Sequence, residues 1–194
     1  MVSSAPALQT IPHTVSAPAT TAVSWHSRPQ LQSTLDALQA DWLFDERSLT
    51  RRLCELSADR FSVLPLNEGW QCLRDDECLA LDVPVGSQGW VREVYLQGAG
   101  QPWVFARSVA PRAALERSGV ALAGLGSRSL GELLFSDAAF TRSALQATRY
   151  PAHWLPAADA QSGLWGRRSC FRRGELGVLV AEVFLPAFWQ TLQP

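Results

Sequence analysis

The chain has 194 residues, 47% of them hydrophobic and 18% charged, and 17 basic against 18 acidic residues leave a net charge of −1. The length suffices for one self-supporting core, and the charge balance excludes a nucleic-acid binder held by phosphate electrostatics. All 17 basic residues are arginine, which excludes Schiff-base chemistry and a phosphate-loop lysine, and no apolar run reaches the ~18 residues of a membrane helix.

Met1 to Ser27 contain no Asp, Glu, Lys or Arg and are rich in Ala, Ser, Thr and Pro. Too few large apolar side chains are present to offset ordering entropy, so 1–27 is expected to be a mobile arm ahead of a single domain over 28–194. Leu31, Leu35, Leu38 and Trp42 then recur at helical spacing. Ser48 reads as an N-cap before a second helix with Leu49, Leu53 and Leu56 on one stripe. Phe61–Pro65 and Gly69–Leu73 read as two short paired strands, followed by a polar turn at Asp75-Asp76-Glu77. Trp90–Leu96 and Trp103–Val109, joined across Gly98-Ala99-Gly100, form a plausible hairpin that Pro111 ends. Helical pieces are expected around Ala113–Glu116, Ser129–Phe135 and Thr141–Thr148, then a Pro/Ala-rich loop over Tyr150–Ser162. Gly166–Arg173 and Val178–Leu185 look like strands across a Gly174–Gly177 turn. Helices and strands that do not strictly alternate indicate an α+β fold with a mostly antiparallel sheet.

The four cysteines (Cys54, Cys72, Cys78, Cys170) and three histidines show no CxxC or close His pair, so neither a zinc site nor a disulfide framework is expected. No secretory pattern opens the chain. A reduced, cytoplasmic protein is the expectation.

Side chains alternate across a strand, and two charges fall among hydrophobes. Arg92 shares a face with Trp90, Val94 and Leu96; Glu182 shares one with Val178, Val180 and Phe184, on a strand apolar on both faces. Buried charges are costly unless partnered. Either the two pair with each other or with helix ends and hold the sheet, or they line a pocket, Arg92 gripping a carboxylate and Glu182 meeting a hydroxyl or moving a proton. Two other features have ordinary readings. Gly126–Gly131 offers backbone amides to an anion or is a loop with a Ser cap. The doublets Arg167-Arg168 and Arg172-Arg173 read as a solvated strand edge.

An ordered set of segments resembles the chorismate pyruvate-lyases, which make 4-hydroxybenzoate for ubiquinone. The segments are Asp41-Trp42-Leu43, Ser48-Leu49-Thr50, Trp90-Val91-Arg92-Glu93-Val94, Pro102-Trp103 with Ala106–Pro111, Leu125-Gly126 with Leu130–Phe135, Leu164–Ser169 and Glu182–Ala187. The resemblance implies a six-stranded antiparallel sheet with flanking helices and an internal pocket under helical flaps. It places the carboxylate-binding arginine at Arg92 and the glutamate that meets the ring hydroxyl at Glu182. Backbone amides on the same carboxylate fall at Leu49 and Leu130, and a second arginine on the route past the flaps falls at Arg107. Familiar relatives have methionine where this chain has Leu49, an exchange that a backbone contact tolerates. The implied reaction is cofactor-free conversion of chorismate to 4-hydroxybenzoate and pyruvate, the first committed step toward ubiquinone. A monomer is expected on separate grounds, since no exposed apolar stripe stands out in the sequence. The competing reading is a non-catalytic sensor or carrier of aromatic acids with the same fold.

Overall fold

Two hairpins build the centre of the sheet. In the computed structural model, which describes residues 23–193, β2 (Gln88–Gly98) pairs with β3 (Gln101–Pro111) as expected. The turn closes because Ala99 and Gly100 adopt φ of 52° and 79°, the left-handed pair that tight hairpin turns require. Gly98 is needed for a different reason: a Cβ there would run into the Trp103 ring. Gly98→Ala should therefore cost about 1–3 kcal/mol in a denaturant titration; an unchanged midpoint would show that the ring can turn aside. The second hairpin joins β6 (Trp165–Arg173) and β7 (Leu176–Phe184).

The strand order is β1-β2-β3-β7-β6-β4, with β5 also paired to β6, and every pairing is antiparallel. This is a seven-stranded sheet, where six strands were expected. Two strands are gained at 141–149, which forms β4 (Thr141–Arg142) and β5 (Gln146–Arg149) where the sequence suggested a helix, and one is lost because the two pieces read over 61–73 are a single strand. β4 and β5 both lie along β6, and Ser143 bridges the gap between them. Its N–H donates to the Cys170 carbonyl at 2.8 Å, and its hydroxyl accepts from the Cys170 N–H at 2.9 Å. Burial of Leu145 and Ala147 with a period of two overrides the local helical pattern.

Two further expectations are corrected. β1 (Phe61–Cys72) is one 12-residue strand whose register shifts between Pro65 and Asn67; an edge position tolerates the proline, which has no N–H to give. Asp75-Asp76-Glu77 opens helix α3 (Asp75–Leu81). Three acidic residues suit a helix N-terminus, and the Glu77 carboxylate accepts from the Arg74 N–H at 2.9 Å.

The remaining helices are α1 (Ala37–Leu43), α2 (Leu49–Leu56), α4 (Arg112–Ser118), α5 (Leu130–Ser136) and α6 (Pro186–Thr191). Asp36, Ser48 and Ser129 cap α1, α2 and α5. The helix expected from Leu31 is broken into a 3-10 turn, Pro29–Leu31, followed by α1. The expected arm runs too far: residues 1–22 lie outside the described residues, but the chain is already anchored at Trp25 and His26. His26 exchanges two backbone hydrogen bonds with Ala147, at 2.9 and 2.8 Å, and the Trp25 indole donates to Asp76 at 3.1 Å. Among the described residues no helix is long and apolar enough to cross a membrane.

Candidate active site

One face of the sheet carries two apolar clusters with a polar gap between them. The first joins α1, α2 and α6 to the sheet through residues such as Trp42, Leu53, Val94, Phe184 and Phe188. The second joins α4 and α5 to the other end through Trp90, Leu115, Leu130, Leu134 and Val178. Arg92, Ser108 and Glu182 belong to neither cluster, and all three line a small cavity of about 40 Å³ between them. Val63, Val94, Leu96 and Ala106 supply its apolar walls.

Strand register places the two charges. Arg92 is opposite Ser108, Ser108 opposite Val180, and Glu182 lies two residues along the same face. Strands ~4.8 Å apart and a rise of ~3.3 Å per residue separate the two backbones by about 12 Å. Arg92 and Glu182 therefore do not pair with each other, and they approach the cavity from different sides.

Arg92 is 3% exposed and incompletely satisfied. Its Nη2 donates to the Gly126 carbonyl at 2.6 Å and the Arg128 carbonyl at 3.0 Å. Glu68, the sole carboxylate in ion-pair range among the described residues, is 3.9 Å from Nε, and Nη1 is buried without a partner. Burial pushes the guanidinium pKa down, and Glu68 offsets only part of that. A cation so placed has an unmet demand for an anion.

Glu182 pairs elsewhere. Its Oε2 accepts from Arg167 Nε at 2.7 Å. Arg167, read from sequence as part of a solvated edge, is among the most buried side chains, at 1% exposure. The expectation failed because β4 and β5 cover the flank of β6. A usable signal was nevertheless present: Arg167 alternates on one face with Trp165, Ser169 and Phe171, the same pattern of one charge among hydrophobes that isolated Arg92 and Glu182.

The cavity is covered by the N-terminal ends of α2 and α5. Thr50 and Ser129 both line it, and their hydroxyls are hydrogen-bonded at 2.7 Å. Leu49 and Leu130 are the first residues of these helices, where backbone N–H groups have no intrahelical acceptor. Leu130 lines the cavity directly, whereas the Leu49 side chain packs into the first cluster and its neighbour Thr50 reaches the cavity. Gly131 is tight against this closure, because a Cβ would come within 3.2 Å of Thr50 Oγ1.

Arg107, expected beside the route to the site, is not brought to this cavity. Its position on β3 alternates with Ala106 and Ser108, so it faces the opposite side of the sheet. There it grips Glu77 through Nε at 2.6 Å and Nη2 at 3.1 Å, and Glu93 through Nη1 at 2.8 Å. Burial opposes its charge, but the two carboxylates outweigh burial and raise the guanidinium pKa.

The family model described as chorismate lyase matches residues 19–193. The chain is 64% identical over 173 residues to a probable chorismate pyruvate-lyase 2 of Pseudomonas entomophila L48, spanning 89% of this chain and 94% of that one. It is 65% identical over 165 residues to a probable chorismate pyruvate-lyase of Pseudomonas aeruginosa PAO1, spanning 85% and 92%. Among solved structures, the possible transcriptional regulator YydK of Bacillus subtilis matches 66% of this chain and 60% of that chain, with a TM-score of 0.49 and 8% identity. The chain belongs to the chorismate lyase family. Membership makes it an enzyme of the lyase class.

Proposed function

We propose that this enzyme converts chorismate to 4-hydroxybenzoate and pyruvate without a cofactor, supplying the aromatic acid for ubiquinone synthesis. The observation that carries the reading is the pair of ends in one cavity: a buried, under-satisfied arginine on one side and a carboxylate on the other. A ring with a carboxylate at one end and a hydroxyl para to it matches the chemistry of Arg92 and Glu182.

In this reading Arg92 binds the ring carboxylate, and the first-turn amides of α2 and α5 at Leu49 and Leu130 add donors at their positively polarised helix ends. Glu182 meets the ring hydroxyl. The bond from the ring to the ether oxygen breaks, and its electron pair leaves with the enolpyruvyl group. The hydrogen on the hydroxyl-bearing ring carbon leaves as a proton, and the electrons of that C–H bond complete the aromatic ring. Enolpyruvate then takes a proton on its methylene carbon to become pyruvate. Aromatisation supplies the driving force, so the protein needs to contribute chiefly orientation, charge complementarity and exclusion of water.

Incubation of purified, metal-stripped protein with chorismate should yield 4-hydroxybenzoate and pyruvate in equal amounts by chromatography. Binding of 4-hydroxybenzoate with no turnover would assign the cavity to a sensor or carrier instead.

The Thr50–Ser129 hydroxyl pair holds the cover shut in this account. Ser129→Ala removes that bond and the cap of α5, a loss of about 1 kcal/mol. Stopped-flow measurements should show 4-hydroxybenzoate dissociating several-fold faster, with little change in overall fold. An unchanged dissociation rate would mean that the hydroxyl pair does not gate release.

A further inference from the structure

We infer that Arg167 is a positioning residue that holds Glu182 as a carboxylate, with one oxygen committed to the guanidinium and the other left for the ring hydroxyl. Glu182 then accepts a hydrogen bond from substrate and does not donate one. This rests on the role proposed above for Glu182.

The geometry is that of a fixed support. Arg167 on β6 is in direct register with Glu182 on β7. While Nε holds Oε2 at 2.7 Å, Nη1 donates to the carbonyls of Trp42 at 2.8 Å and Asp45 at 3.0 Å, at and just beyond the end of α1. Carbonyls at a helix C-terminus favour a cation, and they anchor Nη1, while Nη2 is buried without a partner. Glu182 is the only carboxylate in ion-pair range of Arg167 among the described residues. The guanidinium lies 5.9 Å from the Phe184 ring centroid and is shut off from solvent. A protonated Glu182 would thus leave a buried arginine with no anion, which is the costly arrangement.

The other charges facing Glu182 reinforce this. Arg92 on β2 and Arg128 before α5 line the same cavity. Arg142 on β4 lies near enough for its charge and that of Glu182 to interact, and it is itself anchored to Ser169 Oγ at 2.8 Å and the Glu46 carbonyl at 2.7 Å. The carboxylate of Asp45, whose backbone carbonyl accepts from Arg167, is engaged by Arg47 at 2.8 Å and Arg52 at 2.9 Å. Among the described residues, Arg167 alone of these cations is in ion-pair range of Glu182.

The test compares 4-hydroxybenzoate with benzoate, which lacks the hydroxyl and reports only on the Arg92 end. In Arg167→Met, 4-hydroxybenzoate affinity should fall about tenfold and benzoate affinity less than twofold. Arg167→Lys should restore part of the lost discrimination between the two ligands. Equal weakening of the two ligands would overturn the inference and leave Arg167 a packing residue.

The wild-type protein gives a second readout that does not depend on a variant folding. A para group that can only accept should gain nothing: 4-fluorobenzoate should bind no more tightly than benzoate, and 4-hydroxybenzoate more tightly than either. 4-Fluorobenzoate binding as tightly as 4-hydroxybenzoate would show Glu182 to be a donor and contradict the inference. Failure of wild-type protein to turn over chorismate would instead strike the underlying functional reading.

Discussion

Arg92→Ala is expected to lower kcat/KM for chorismate by about two to four orders of magnitude while the protein stays folded. The size follows from the bonds at stake: two charge-assisted hydrogen bonds to a carboxylate contribute about 1.5–3 kcal/mol each. The retained fold follows from what the side chain does without ligand. Arg92 is desolvated and its closest carboxylate is 3.9 Å away, so truncation removes a poorly compensated charge. Glu68 is not stranded, because its side chain is 27% exposed and it also accepts from the Gly124 N–H at 2.8 Å. Arg92→Lys should recover little activity, since an ammonium cannot present two parallel donors to a carboxylate. Steady-state kinetics beside a thermal melt checks the prediction. An unfolded Arg92→Ala protein would reassign the arginine to holding the loop at Gly126 and Arg128.

Glu182→Gln should behave differently in both respects. Turnover should fall about 10²–10⁴-fold, the usual weight of a group that handles a proton or orients the reacting hydroxyl. Affinity for 4-hydroxybenzoate should change far less, because the amide oxygen still accepts a hydrogen bond. The loss should therefore appear in kcat rather than KM. Stability should also drop, as Arg167 is 1% exposed and loses its only anion among the described residues. Breaking one side of such a pair typically costs about 3–5 kcal/mol, and the carbonyls of Trp42 and Asp45 should keep the cost toward the lower end. Unchanged kcat would remove Glu182 from the chemistry. Unchanged stability would mean that water or a neighbouring group neutralises Arg167.

The contrast between these variants shows what strand alternation reveals and where it stops. A charge on an apolar strand face was visible for Arg92 and Glu182, and both line the cavity. The same pattern exposes Arg107, yet alternation alone does not say which of two covered faces holds the site. Arg107 is on the face where α3 supplies Glu77, and α3 itself was hidden because three acidic residues read equally as a turn or as the start of a helix. Arg167 was hidden by topology: whether β6 is an edge depends on β4 and β5, two short strands from a segment with helical spacing. The hairpins β2–β3 and β6–β7 were legible because local turn residues specify them. The long strand β1 was not, because its irregularity at Pro65–Asn67 looks locally like a turn.

The most direct test of the account is a crystal structure of this protein with 4-hydroxybenzoate. The account predicts the ligand between the two apolar clusters, its carboxylate on Arg92 and the amides of Leu49 and Leu130, and its hydroxyl donating to the Glu182 oxygen that Arg167 leaves free. A ligand bound with its carboxylate away from Arg92, or one seated outside this cavity, would contradict it.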